Sequence, residues 1–168
     1  MRKRHATGDM RQEMQNHSRR GLTIIEIVIA IALLAIITTV GLVIANPGKQ
    51  LAKSRNTQRE LHLQAILSAI RQNIADTSGG AFGCATGALP TSTKKMASGG
   101  GAGTYDIVPC LVPTYLPTMP FDPSASGAHY AGNSDYDSGY NVVRNASTTQ
   151  VTVSAPSAEL GATISITR

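Results

Sequence analysis

The 168-residue chain is poor in aromatic side chains and in cysteine, and each shortage argues against a class of function. It has no tryptophan, and phenylalanine and tyrosine together make up 4% of its residues. Few rings are therefore free to stack on nucleotide bases, which argues against a protein that binds single-stranded nucleic acid. The two cysteines lack the paired spacing of a structural metal site.

Signatures of common catalytic sites are missing from the sequence as well. It contains neither a nucleophile elbow around a serine nor a His-Glu-x-x-His pair. The glycine-rich stretch 99–103 is not followed by Gly-Lys-Ser/Thr, so it is not a phosphate-binding loop. We therefore predict that the protein is not an enzyme and has no cofactor, apart from a calcium ion considered below.

Positive charge is distributed unevenly along the chain. The formal net charge is +5, yet the first 21 residues hold six of the 15 lysines and arginines and two of the ten acids. The remaining residues hold nine basic and eight acidic side chains, so they are almost neutral. Because that larger part lacks a basic face, we predict no nucleic-acid partner.

An apolar run from Leu22 to Ala45 follows the basic segment, with Glu26 as its single ionisable residue. As a helix, its 24 residues would reach roughly 36 Å at about 1.5 Å per residue. That length crosses a hydrocarbon core of about 30 Å. The basic flank is expected to stay cytoplasmic. A charge inside such a span is costly and usually marks a function.

Three simpler interpretations of this segment stay open. Residues 18–22 look like a twin-arginine export signal, and residues 43–45 could serve as a site for ordinary signal peptidase. The run could also be a plain uncleaved anchor. However, it exceeds the core of about 7–15 residues that secretory signals have, and none of the three accounts for Glu26.

The residues that open the run are Gly21-Leu22-Thr23-Ile24-Ile25-Glu26, preceded by two arginines. A basic leader ending in glycine, then a hydrophobic residue, threonine, two aliphatic residues and glutamate, resembles the signal of type IV prepilins and type II secretion pseudopilins. The resemblance implies cleavage after Gly21 by a prepilin peptidase, N-methylation of the new N-terminus Leu22, and assembly into a filament. The first mature residue is more often phenylalanine in the family, so Leu22 departs from the usual pattern.

The resemblance also assigns Glu26 and Thr23 to assembly, with Glu26 recruiting the subunit and pairing with the methylated amine of Leu22. It implies four kinds of partner: the prepilin peptidase and methylase, an inner-membrane assembly platform, other pilin subunits in a homo- or heteropolymer, and membrane lipid. The protein would wait in the inner membrane as a single-pass protein with a cytoplasmic N-terminus, then join a periplasmic or cell-surface filament. The alternatives are a type II secretion pseudopilin and a membrane-anchored binding module that does not polymerise.

The fold expected from sequence is α+β and pilin-like, with a long N-terminal membrane-spanning helix and a small antiparallel β-sheet packed on its C-terminal half. Its predicted parts are a cleaved leader (1–21), a transmembrane or filament-core helix (22–45), an amphipathic continuation of that helix (46–76), a loop-rich region (77–116) and the sheet (117–168). Pro47 predicts a kink or break. The helix 46–76 carries an apolar stripe at helical spacing, and Arg59 is assigned to its opposite, solvated face.

Cys84 and Cys110 both follow the apolar run, so both are expected outside the membrane. In an oxidising compartment, an even number of cysteines favours a disulfide. Closing a loop of about 27 residues stabilises a fold by roughly 3–4 kcal/mol in the chain-entropy model. Two free thiols are the alternative.

An acidic segment at residues 133–139 is expected to form a turn, with Asp122 upstream. Oxygen ligands at close spacing suit Ca²⁺, and the secretion branch of the family that the chain resembles uses a calcium in a loop of this general position. The predicted ligands are Asp122, Asn133, Asp135 and Asp137. A solvated polar hairpin turn is the simpler alternative, and the sequence of an EF-hand loop is missing.

Overall fold

The computed structural model describes residues 21–168, except for the side chains of residues 42–45. The leader predicted for residues 1–21 therefore lies outside the described residues, apart from Gly21. The chain divides into two units, with the boundary between residues 44 and 45. Over its described residues the first unit contains one helix, and the second unit is an α+β domain.

Helix α1 spans Ile24–Ala45 and is built almost entirely from aliphatic residues. Glu26 is its one charged side chain. Its segment Ile24–Gly41 has a mean hydropathy of 2.6 and is long and apolar enough to cross a membrane. A signal sequence near an N-terminus can pass the same test of length and hydropathy, so this test alone does not tell an anchor from a signal.

Helix α2 spans Pro47–Asp76, and its first residue is the proline that the sequence marked as a break. Asn46 separates α1 from α2 with a left-handed backbone (φ 39°), and its side chain accepts a hydrogen bond from the Lys49 amide at 3.3 Å. Asparagine tolerates this conformation better than most residues, and proline suits the first helical position because it lacks an N–H there. The break thus falls at Asn46, immediately before Pro47.

The domain also contains six strands and a short helix. In chain order these are β1 (Lys94–Ala97), β2 (Thr104–Tyr105), α3 (Val108–Leu111), β3 (His129–Gly132), β4 (Asp135–Arg144), β5 (Val151–Ala155) and β6 (Ile164–Thr167). They form one sheet in the order β2-β1-β4-β5-β6, and β3 pairs with β4. The α+β class predicted from sequence is confirmed.

The sheet differs from the antiparallel sheet expected from sequence in two ways. It is mixed, because β1 and β2 pair in parallel, and both strands lie in the region predicted to be loop-rich. A parallel connection usually needs a dozen or more residues. Here six residues suffice, since β2 has only two residues and the intervening Gly99 and Gly100 adopt positive φ angles of 82° and 41°.

The core lies between α2 and the sheet. Leu63, Ile66 and Ile70 of α2 are fully buried, as are Val142 of β4 and Val153 of β5. This is the apolar stripe that helical spacing indicated, and it covers one face of β5 and β6. The sheet is therefore held to α2 by a continuous hydrophobic cluster.

Candidate functional site

The candidate site begins at the N-terminal end of α1, where Thr23 caps the helix. Its hydroxyl oxygen accepts a hydrogen bond from the Glu26 amide at 3.3 Å, and its carbonyl oxygen accepts from the amides of Glu26 and Ile27 at 3.1 and 3.2 Å. Threonine followed three residues later by glutamate is the capping-box pattern. The sequence assigned Thr23 to assembly; the structure gives it a local role, which is to start the helix.

The predicted cleavage pair, Gly21 and Leu22, precedes this cap. Both residues are exposed, and the Leu22 side chain is 72% accessible. A Cβ atom added at Gly21 would meet no heavy atom within 4 Å. Packing within the described chain therefore does not require a glycine at this position. Recognition by another protein is a reason for a glycine that packing does not give.

Glu26 lies in the first turn of α1, where the partial positive charge of the helix terminus favours a carboxylate. Within residues 21–168, its contacts involve the Thr23 cap and no basic side chain. The carboxylate is thus exposed at the end of an apolar helix and is free to pair with a cation from outside the described chain.

The remaining surface of α1 is apolar and exposed over its described side chains. The hydroxyl groups of Thr38 and Thr39 donate to carbonyl oxygens one turn back, at 2.7 Å to Leu34 and 2.8 Å to Ile36. Polar groups satisfied within the helix are what a hydrocarbon environment requires. Such a helix is suited both to lipid and to packing against other apolar helices.

A buried ion pair connects α2 to the loop after residue 120. The Arg59 guanidinium donates two hydrogen bonds to the Asp122 carboxylate, at 2.8 and 2.9 Å, and both side chains are fully buried. Hydrogen bonding to Asp122 raises the pKa of Arg59. Burial by itself would raise the pKa of Asp122, but Arg59 and the amides of Ser124 and Ala125 outweigh it and lower that pKa. The assignment of Arg59 to a solvated face is therefore wrong.

Glu159 extends this contact into a network. Its carboxylate accepts two hydrogen bonds from Arg55, at 2.7 and 2.5 Å, and one from Arg59 at 3.0 Å. The hydrogen bonds lower the pKa of Glu159 to about 2, and those from Arg55 have the larger effect. Asn56 also exchanges two hydrogen bonds with the Glu159 backbone. The network attaches the third and fourth turns of α2 to the loop between β5 and β6, and sequence reasoning missed it.

The predicted calcium ligands already have other partners. Asp122 is held by Arg59, Asp135 bonds to His129 at 3.0 Å, and Asp137 pairs with Lys95. Asn133 accepts a hydrogen bond from the Tyr130 hydroxyl at 2.7 Å. The expected turn at 133–139 is also largely strand, because β4 begins at Asp135.

Across residues 21–168, no group of three or more histidine, cysteine, aspartate or glutamate side chains is placed to hold a metal. The calcium site stays a prediction, and the basic partners of its carboxylates count against it.

A disulfide joins Cys84 to Cys110, the two residues that the sequence pairs, with their Cα atoms 5.2 Å apart. Asn73, buried near the end of α2, holds both sides of this bridge. Its side-chain amide donates to the carbonyl oxygens of Gly83 and Cys110, at 3.0 and 3.2 Å, and its oxygen accepts from the Gly83 amide at 2.8 Å. The bridge therefore anchors the otherwise irregular segment after α2.

Comparison with known proteins identifies the N-terminal segment. Residues 16–42 match the family model of the prokaryotic N-terminal methylation motif, which is the prepilin signal of type IV pilins and pseudopilins. The match includes the predicted cleavage site and most of α1, and it does not extend into the domain. No curated protein and no solved structure matches the chain.

Proposed function

We propose that this type IV pilin-like precursor is a structural subunit of a type IV pilus-like filament. It is made as a membrane-anchored prepilin, cleaved after Gly21, N-methylated at Leu22 and polymerised through α1. One observation supports this most directly: the prepilin signal lies against a helix that is apolar and exposed over its described length, except for Glu26. Its role is structural, and the covalent chemistry belongs to a prepilin peptidase and methylase.

The proposed orientation places the basic leader in the cytoplasm and the domain outside the inner membrane, consistent with the positive-inside bias. The disulfide supports this orientation, because such bonds persist in oxidising compartments. Before assembly, lipid covers the apolar surface of α1. After assembly, the same surface packs against α1 of neighbouring subunits and the apolar side chains remain out of water.

Glu26 supplies the charge that guides α1 from the lipid into the filament. Cleavage after Gly21 creates an amine on Leu22, four residues before the carboxylate. In an apolar bundle an unpaired charge is strongly unfavourable, and pairing with an opposite charge offsets much of that penalty. An incoming subunit whose Glu26 meets the Leu22 amine of its neighbour is thereby favoured over one that is out of register.

Mass spectrometry of the N-terminus of the mature protein tests the processing step. The expected N-terminal peptide begins at Leu22 and carries one methyl group on its α-amine. A chain that keeps residues 1–21 in the membrane fraction would contradict the proposal and support a plain anchor.

Shearing of intact cells tests the polymer. A pilus subunit is released into the sheared fraction as long filaments that electron microscopy detects. Retention in the periplasm after processing would instead indicate the runner-up, a pseudopilin of a secretion system. Processed chains that remain monomeric in the membrane would contradict polymerisation.

A further inference from the structure

The loop between β5 and β6 lies at the end of the domain where α2 begins. The first residue of β5, Val151, lines a cavity of about 410 Å³ together with Arg71 and Ile74 from the second half of α2. The loop that follows β5 is instead attached to Arg55, in the third turn of α2, through the carboxylate of Glu159. β5 therefore runs toward the start of α2, and residues 156–163 form that end of the domain.

Leu160 is at the tip of this loop, in a tight turn. The Ala162 amide donates to the Glu159 carbonyl oxygen at 3.1 Å, and the two residues between them, Leu160 and Gly161, have φ angles of 59° and 69°. Two left-handed central residues are the pattern of a type I′ turn, which favours glycine, asparagine and aspartate.

A leucine is an unusual choice for this position. The left-handed conformation is unfavourable for a bulky side chain, and the side chain of Leu160 is 58% exposed. Neither the backbone conformation nor burial in the domain accounts for a leucine here. Strained residues of this kind are concentrated at functional sites.

The contacts next to Leu160 hold the turn in place. Asn56 exchanges two hydrogen bonds with the Glu159 backbone, at 2.8 and 2.9 Å, and Arg55 and Arg59 bind the Glu159 carboxylate. The exposure of the Leu160 side chain is therefore imposed by the fold of the domain.

The start of α2 carries a second exposed leucine with a lysine on either side of it in the sequence. Leu51 is 60% exposed and lies one helical turn before Arg55. Lys49 and Lys53 are exposed, and neither side chain has an acidic partner within the described chain. Lys94 lacks a partner as well, but it lies on β1. The lysines of α2 differ from it because they lie within two turns of the apolar helix α1.

This part of α2 is at the membrane surface whenever α1 is in lipid, because Asn46 alone separates the two helices. The residues from Lys49 to Lys53 are roughly 3–9 Å along α2 from Pro47, and the headgroup layer is roughly 5–8 Å thick on each side of a bilayer. Asn56, which holds the loop, is roughly 14 Å from Pro47. Leu160 therefore touches lipid only when this end of the domain rests on the bilayer.

We propose that this end of the domain docks on anionic lipid headgroups of the membrane that holds α1. The docking surface consists of Lys49, Leu51, Lys53 and Leu160, and we call it the basal patch. The inference rests on the proposed membrane-anchored precursor and gives its domain a lipid contact of its own. Apolar side chains that enter the interfacial layer, together with cations that meet anionic headgroups, are the combination that binds protein surfaces to membranes. The contact favours the unassembled subunit and is given up when α1 leaves the lipid.

Tryptophan fluorescence tests the docking in the full-length chain, which has no tryptophan of its own. Thr163→Trp places a probe at an exposed position of the loop that carries Leu160, and Ser147→Trp places one in the exposed loop at the other end of β5. Each chain is inserted, one copy per disc, into lipid nanodiscs that contain phosphatidylglycerol and acyl-brominated phosphatidylcholine. Because bromine quenches nearby indoles, quenching should be at least about threefold stronger for Thr163→Trp, as expected of a loop in the interfacial layer.

Leu160→Asn, introduced into the Thr163→Trp chain, tests the leucine itself. Asparagine suits the left-handed turn, so the turn is kept while the apolar group is lost, and quenching should fall to the level of Ser147→Trp. Leu61→Asn is the matched control, since Leu61 is a 59% exposed leucine farther along α2, and it should leave the quenching unchanged. Lys49→Gln combined with Lys53→Gln should weaken the quenching, as should discs that lack phosphatidylglycerol.

Each variant must first show the Cys84–Cys110 bridge on a non-reducing gel and the thermal midpoint of the wild-type chain. Equal quenching at positions 163 and 147, or quenching that Leu160→Asn does not reduce, would overturn the docking. Quenching at 163 that appears only in discs with several copies would also overturn it, because a second copy would then be the occupant. A wild-type chain that does not insert into discs would instead defeat the membrane-anchored precursor, and with it the proposed function.

Discussion

Arg59 and Asp122 form a fully buried ion pair, so the loss of either residue should destabilise the domain strongly. Breaking a buried ion pair by removing one partner leaves an unpaired buried charge, which typically costs about 3–5 kcal/mol. We expect Arg59→Leu to lower the free energy of unfolding by about that amount, measured by chemical denaturation of the full chain in detergent. Arg71→Leu is the control at an exposed position and should change it by less than about 0.5 kcal/mol. Similar losses in both variants would show that Arg59 has no special role.

Glu159 should make the stability of the domain depend on acid. Its pKa in the folded protein is about 2, below the value of about 4.3 for an unpaired glutamate. The group therefore stabilises the fold fully above the unfolded pKa, and this contribution is lost as the pH falls toward 2.

The measurement is the thermal midpoint of wild-type and Glu159→Gln chains between pH 2 and pH 6. The gap between the two curves should be widest near pH 6 and should shrink as the pH approaches 2. A gap that stays constant with pH would mean that the pairing with Arg55 and Arg59 does not set the pKa of Glu159.

The role of the Glu26 carboxylate can be tested without removing the helix cap. The Thr23 hydroxyl accepts its hydrogen bond from the backbone amide of residue 26, which a substitution of the side chain leaves in place. Glu26→Ala should still be inserted and cleaved, while filament yield falls strongly because the Leu22 amine of the neighbouring subunit loses its counter-charge. Thr39→Ala, a polar-to-apolar change elsewhere on α1, serves as control. Filaments of normal number and length from Glu26→Ala would remove the role proposed for this carboxylate.

At the scale of single elements, Asn46 defines where α2 begins. Its carbonyl oxygen accepts from the amides of Lys49 and Gln50, at 3.0 and 3.3 Å. Asn46→Ala removes the side-chain cap, which costs about 1 kcal/mol, and strains the left-handed backbone. Asn46→Gly keeps the backbone conformation, and replacing a cap by glycine costs only a few tenths of a kcal/mol. We expect faster amide exchange at Lys49 in the alanine variant than in the glycine variant; equal rates would contradict this role.

Elements with strong local patterns were predictable from the sequence. Leu63, Leu67 and Ile70 recur at helical spacing and mark α2, and alternating valines mark β5. By contrast, β1 has four residues, two of them lysines, and its partner Asn141 lies 46 positions beyond Lys95. A short polar strand that forms only because a distant strand pairs with it leaves no local signal.

The candidate sites divide in the same way. The segment Gly21–Glu26 was predictable because the prepilin signal is a contiguous sequence motif. The network around Arg59 is not readable, since its acidic partners are 63 and 100 positions away and an isolated arginine on a helix predicts solvent exposure. The basic partners of the carboxylates considered for calcium were missed for the same reason: Arg59, Lys95 and His129 come from other elements.

At the scale of the whole domain, basic side chains from other elements bind the carboxylates that were considered as calcium ligands. Lys95, Arg59 and His129 come from β1, α2 and β3, so the pairs also tie separate segments together. We expect added calcium to leave the thermal midpoint of the full chain unchanged relative to a chelator. A ligand that binds the folded state raises the midpoint. A calcium-dependent rise that Asp137→Asn abolishes would therefore establish the metal site.

The open surroundings of Gly21 have a consequence for the order of events during biogenesis. No hydrogen bond within the described chain involves Gly21, and added bulk there would touch nothing nearby. Cleavage after Gly21 therefore breaks no contact between this glycine and the rest of the described chain. We therefore expect the domain to reach its final fold, disulfide included, before cleavage after Gly21 as well as after it. If that expectation holds, folding and maturation are separable in time, and folded precursors can accumulate before they are processed.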